Sequence, residues 1–137
     1  MVDHVSKTKR SEMMRLVRRN GSSAELVVRR LVWTMGYRYR LNVKRLPGSP
    51  DLVFPGRRKV IFVHGCFWHG HPHCSKSRLP KTNIPYWEEK IRMNRARDER
   101  VAAELARDGW GVLVIWQCEQ RDPEALAKKV EAFLRPE

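Results

Sequence analysis

The sequence predicts an α/β fold with a mixed central β-sheet flanked by helices. Two observations carry this. Apolar positions keep helical spacing over residues 22–35, 85–108 and 122–134, whereas 37–43, 51–54, 59–63 and 111–118 read as strands. The link Pro55-Gly56-Arg57-Arg58 is short enough for an antiparallel hairpin, while a whole helix separates the last two strands, as a parallel crossover requires.

Each element has a local cause. Ser22-Ser23-Ala24-Glu25 has capping-box spacing, and Val27, Val28, Leu31, Val32 and Met35 follow on one face before Gly36. Tyr37, Tyr39, Leu41 and Val43 alternate with Arg38, Arg40 and Asn42, the period of a half-buried strand, and Leu46 to Pro50 is a loop. The long helix carries Trp87, Ile91, Asn94, Asp98, Val101, Ala102 and Leu105 on its inward stripe and ends near Gly109. Gly111 to Cys118 is a near-continuous apolar run with β-branched residues, hence a buried strand. Asp122-Pro123-Glu124 opens the last helix as N-cap, first position and acidic first turn, with Leu126, Val130, Phe133 and Leu134 on one face.

A chain of 137 residues buries roughly two-thirds of its unfolded surface, enough for one core, so a single domain over 1–137 is expected: a basic arm at 1–20 and a folded core at 21–137. With 42% hydrophobic and 31% charged residues it is too apolar for a disordered basic tail. No apolar run approaches the ~18 residues of a membrane span, and the N-terminus lacks a signal peptide's apolar centre, so a cytoplasmic protein without membrane contact is expected. Lys and Arg number 28 against 15 Asp and Glu, a net charge of +13. Each phosphate met by such a surface releases counterions, so the expected partner is a polyanion, nucleic acid before others. The arm, with Lys7, Lys9, Arg10, Arg15, Arg18 and Arg19, suits a phosphate backbone.

The chemistry concentrates in His64-Gly-Cys66-Phe67-Trp68-His69-Gly-His71-Pro-His73-Cys74, which holds four of the five histidines and two of the three cysteines. Three cysteines make no disulfide framework, whereas Zn²⁺ takes four thiolate or imidazole ligands. Cys66, Cys74 and Cys118 are the thiols, and His71 or, next to Cys74, His73 is the imidazole. The alternative is that Cys118 is an inert buried hydrophobe.

His64 and His69 remain for acid–base work. Asp51 follows Pro50 at the mouth of the hairpin whose second strand leads into His64, so carboxylate and imidazole meet at one sheet edge. Mg²⁺ is content with one or two carboxylates plus water and phosphate, so Asp51 is its candidate ligand; a turn-capping carboxylate is the alternative. Asp98, on an apolar stripe, needs a partner: either an imidazole or Arg95 or Arg97. Glu25 is already explained by its capping box. Phe67, Trp68 and Trp87 offer faces that stack on bases or wedge between them, with core packing as the alternative.

In order, Pro50-Asp51, VIFVHGCFWHGH, KTNIPYWEEKI with RMNRARD, and GWGVLVIWQCE resemble the very short patch repair (Vsr) mismatch endonucleases over about residues 7–134. The resemblance implies a restriction-endonuclease-like, PD-(D/E)xK-type nuclease core with a structural zinc, and nicking of double-stranded DNA 5′ of the thymine in T:G mismatches left by 5-methylcytosine deamination. It implies Mg²⁺ on Asp51 and on the main-chain carbonyl of Val63, a position where the family can carry Thr. His69, oriented by Asp98, would be the base, since the Glu-x-Lys half of the wider nuclease signature is absent. His64 and Glu25 would bond metal-bound waters or assist the leaving group. Cys66, His71, Cys74 and Cys118 would hold Zn²⁺. Phe67, Trp68 and Trp87 would enter the stack from the major groove and Met14 from the minor groove. A monomer suffices to nick one strand, and a nucleoid-associated place in a bacterial cytoplasm with other mismatch-repair proteins as partners is compatible with this reading. Two other classes compete: a zinc-stabilised DNA-binding module without catalysis, and a restriction-type nuclease indifferent to mismatches.

Overall fold

The computed structural model describes residues 23–136; the basic arm, Met14 and Ser22 of the capping box lie outside that range. In chain order the helices and strands are α1 (Ser23–Thr34), β1 (Arg40–Leu41), β2 (Leu52–Phe54), β3 (Lys59–His64), α2 (Ile84–Arg107), β4 (Gly111–Trp116) and α3 (Pro123–Leu134). They fall into two compact units: Tyr39–Cys118, and the described residues to Arg38 together with those from Glu119. No helix among the described residues is long and apolar enough to cross a membrane.

The first unit is built on a four-stranded mixed sheet ordered β1-β2-β3-β4. β2 and β3 pair antiparallel, with Leu52 opposite Ile61. β3 and β4 run parallel from Lys59 opposite Gly111 to His64 opposite Trp116, with α2 as the crossover. Val53, Val60, Phe62 and Leu105 form its buried core, flanked by Val43, Leu46, Val101, Trp110, Val112 and Val114. A fully buried Leu105 is worth roughly 1.5–3 kcal/mol over an exposed one. The hairpin turn closes through Arg58 in the left-handed region, and its guanidinium bonds the Asp108 carbonyl at 2.8 Å, tying the turn to the end of α2.

Two strand predictions need correction. The strand over 37–43 shrinks to Arg40–Leu41, both exposed, because Asn42 turns to a φ of 51° and breaks the extended run. The strand over 111–118 ends at Trp116, and Cys118 sits in the 3₁₀ turn Gln117–Arg121. Only Ile115 of that strand is buried, because a cleft of about 300 Å³, lined by Phe62, Val101, Ala102, Val112, Val114 and Trp116 among others, separates part of it from α2.

In the second unit α1 and α3 pack together. Asp122 accepts the Ala125 N–H at 3.2 Å as the N-cap of α3, Pro123 takes the first turn, and Leu126, Val130 and Leu134 are buried at four-residue spacing.

Candidate active site and metal centre

Asp51 lies where the chain enters β2, behind a fully buried Pro50. Its Oδ2 accepts the backbone N–H of Val63 at 2.7 Å, so the carboxylate stands across from the end of β3. The loop before it is laid against α2 and β3 at Gly48, where φ is 74° and a Cβ would meet Val101 Cγ1 at 2.6 Å and Phe62 at 3.2 Å, so only glycine fits.

β3 delivers His64 to the face covered by α2. Its ring lies on that of His69, centroids 3.9 Å apart and planes 3° from parallel. His69 Nδ1 meets Asp98 Oδ2 at 2.6 Å, so of the two partners open to Asp98 in the sequence, the imidazole is the one it contacts. The carboxylate accepts from Nδ1–H, which leaves Nε2 with the lone pair. Gly70, next in the chain, has a φ of 59°, and a Cβ there would meet Ile91 Cγ2 at 2.5 Å; this close approach keeps His69 within reach of α2.

Burial, helped by the neighbouring His69 and opposed by Asp98, lowers the His64 pKa from 6.5 to about 4. Between those values the unfolded chain binds the proton at His64 and the folded one does not, so this group costs no stability above pH 6.5 and progressively lowers it as pH drops toward 4. The expected loss is on the order of 3 kcal/mol. Melting His64→Gln beside the wild type over pH 4–7 should show a flatter curve for the variant; parallel curves would refute this.

Cys66, His71, Cys74 and Cys118 each offer a ligand atom, and all four atoms lie within 4.8 Å of one another. Cys118 Sγ is 3.5 Å from His71 Nδ1. Bonds of about 2.3 Å to sulfur and about 2.1 Å to nitrogen around a tetrahedral Zn²⁺ imply donor separations of about 3.5–3.8 Å, so this set fits such an ion. His73 is exposed in a left-handed conformation and is not in the set. Burial, with the adjoining Cys118 and Cys74 thiols, raises the Cys66 pKa to about 11 against a lowering from the Cys118 backbone. A thiol so placed ionises readily only on a cation. The loop is otherwise shaped by backbone bonds from His69 N–H to Gly65, His71 N–H to Cys66 and Ser77 N–H to Cys74, and the single proton of the Ser77 hydroxyl is shared between the carbonyls of His71 and Cys74 at 2.8 and 2.7 Å.

Phe67, Trp68 and Trp87 meet edge-to-face, with centroids 5.1–5.9 Å apart. Trp68 is 50% exposed, whereas Phe67 and Trp87 are half-buried beneath it. Asn94 donates to the Trp68 carbonyl at 2.8 Å, which explains one polar residue on the inward stripe of α2. Glu25 lies in the other unit, in the first turn of α1, where it pairs with Arg29 one turn on.

Two residues escaped the sequence reading. Tyr86 extends the aromatic group, 5.0 Å from Trp87 and exposed; its place beside Trp87 was the available signal. Trp116 stacks on His71 at 4.1 Å and 11°, and stands edge-on to His64 at 5.3 Å, forming a wall shared by the two clusters. Nothing in its apolar run marks it.

Comparison with known proteins gives one answer throughout. The family model described as DNA mismatch endonuclease Vsr matches residues 2–76. The type II nicking enzyme V.XorIIP of Xanthomonas oryzae pv. oryzae is 50% identical over 136 residues, covering 99% of each chain. The DNA mismatch endonuclease Vsr of Escherichia coli (strain K12) is 37% identical over 139 residues, 98% of this chain and 88% of that one. The type II nicking enzyme V.NmeAIP of Neisseria meningitidis is 37% identical over 135 residues, 98% and 96% of the two chains.

Proposed function

Since this chain belongs to the Vsr family of DNA mismatch and nicking endonucleases, we propose that it nicks double-stranded DNA on the 5′ side of the thymine in T:G mismatches, using Mg²⁺. The work falls to one endonuclease domain with a restriction-endonuclease-like core, a structural zinc and a basic arm. The observation that carries the reading is the 2.6 Å contact between His69 and Asp98.

Asp51 would hold Mg²⁺ together with the carbonyl of Val63. A residue's N–H and C=O in an extended strand point to the same side, and the Val63 N–H already faces Asp51, so its carbonyl has that orientation too. Val63 needs no hydroxyl for this. When bound, Mg²⁺ would acidify water and offset the charge that builds on the phosphate. His69 Nε2 accepts the proton of the attacking water, and Asp98 holds the ring in the required tautomer and compensates the imidazolium, a contribution of roughly 10²–10⁴-fold. His64, kept neutral by burial, lets His69 charge without a second cation against its face. It and Glu25 would hydrogen-bond water at the metal site or the leaving oxygen. Cys66, His71, Cys74 and Cys118 would hold Zn²⁺ and fix the loop that carries the base.

Phe67, Trp68 and Trp87 would enter the stack beside the mismatch from the major groove, with Met14 of the arm opposite them. A wobble pair stacks less well than a matched one, so wedging there costs less. The deciding experiment incubates the protein and Mg²⁺ with T:G and C:G duplexes of one sequence. A single nick in the thymine strand alone is expected; equal cutting of both duplexes would reduce the protein to a mismatch-blind nuclease, and no cutting to a binding module. Trp68→Ala should cut the T:G over C:G preference by about tenfold, from about 1–3 kcal/mol of base–aromatic stacking. An unaltered preference would return Trp68 to packing.

A further inference from the structure

We propose that His64, His69 and Asp98 form a second metal-binding site, selective for a borderline-soft divalent ion such as Zn²⁺, whose occupation switches the nuclease off. The binding site stands on geometry alone; its inhibitory effect rests on the assignment of His69 as general base.

Each of the three residues offers a ligand atom, and these atoms lie within 4.8 Å of one another. Two imidazoles and one carboxylate with other positions open to water are a donor set that first-row transition metals take. His64 is 7% exposed, and its Nδ1 has no hydrogen-bond partner among the described residues. A buried polar atom left so is costly, and ligation of the ring gives the group a role that no protein partner supplies. The stacked rings have centroids 3.9 Å apart, and a tilt of the partly buried His69 would bring one nitrogen of each ring onto one ion. Asp98, already on His69, either takes the third position or strengthens the imidazole as a donor from behind.

The site differs in kind from the cysteine cluster. It has no sulfur, and it opens onto the cleft beside α2 rather than into the loop. Mg²⁺ prefers oxygen and holds its waters, so it competes poorly for two imidazoles. A metal ion on the lone pair of His69 leaves no place for the proton of the attacking water.

The test needs neither DNA nor activity at first. The full chain is dialysed against buffered free Zn²⁺ at rising concentration, and bound metal is measured for the wild type, His64→Ala, His69→Ala and the exposed-residue control His73→Ala, each checked for folding by circular dichroism. Two ions per chain are expected for the wild type and His73→Ala, one for the other two. Repeated with Co²⁺, the weaker site should add absorbance without the sulfur-to-metal charge-transfer band of the cysteine site. Nicking of a T:G duplex in Mg²⁺ should then fall in step with occupation of the weaker site. One ion per chain at saturation, or a second ion that survives both His64→Ala and His69→Ala, overturns the site. Two ions with unchanged nicking overturn the inhibition. Absence of nicking at every zinc level would overturn the catalytic reading and the inhibition with it, while the stoichiometry still decides the site.

Discussion

Asp51→Asn is expected to lower the rate of T:G nicking by roughly 10³-fold or more, since a divalent ion at a phosphodiester supplies several kcal/mol of charge stabilisation. Asparagine is the informative change because its carbonyl oxygen still accepts the Val63 N–H, now at 2.7 Å from Asp51, and the fold is kept. Alanine would also orphan that N–H, at about 1–3 kcal/mol. Duplex affinity should move little, because a chain of net charge +13 draws its binding from many phosphate contacts. Single-turnover nicking and a binding titration separate the two quantities. A normal rate in Asp51→Asn would remove the carboxylate from the chemistry, and a parallel collapse of affinity would make it a binding residue instead. His69→Ala belongs to the same experiment, with a smaller loss of about 10²–10⁴-fold and retained binding.

Removing the metal proposed at the cysteine cluster is expected to be as severe by a different route. Thiolate zinc sites contribute on the order of 10 kcal/mol to the order of small segments, and between the end of β3 and the start of α2 the only regular element is the 3₁₀ turn Ser75–Ser77. A strong chelator, or Cys118→Ser, should therefore lower the melting temperature, expose this segment to proteolysis and abolish nicking together, because Phe67, Trp68 and His69 sit on the same loop as Cys66, His71 and Cys74. Unchanged melting and protease resistance after zinc removal would show that the four side chains only pack.

The sequence carried most of the local structure. Capping signals and apolar spacing placed the three helices of the described residues to within a residue or two, and the inward stripe of α2, polar Asn94 and Asp98 included, is the face that is buried or half-buried. The hairpin and the parallel crossover also follow from link lengths alone. Where prediction overran, at 37–43 and 111–118, backbone and packing intervened: a left-handed Asn42 in one case, the start of a 3₁₀ turn and an open cleft in the other.

The residue types of the site are likewise a property of the chain: a histidine- and cysteine-rich segment, a late cysteine, an aspartate after proline. Partnership is not. Whether Asp98 faced an imidazole or an arginine was open until α2 lay beside the loop, because 29 residues separate it from His69 and no local pattern spans that gap. Cys118 joins Cys66 because β3 and β4 run parallel in register, and His71 joins them while His73, left-handed and exposed, does not. Trp116, a wall to both clusters, looked like any residue of an apolar strand. Sequence determines which groups are present and which backbone states they favour; distances between groups remote in the chain are set by packing, and on those distances the chemistry depends.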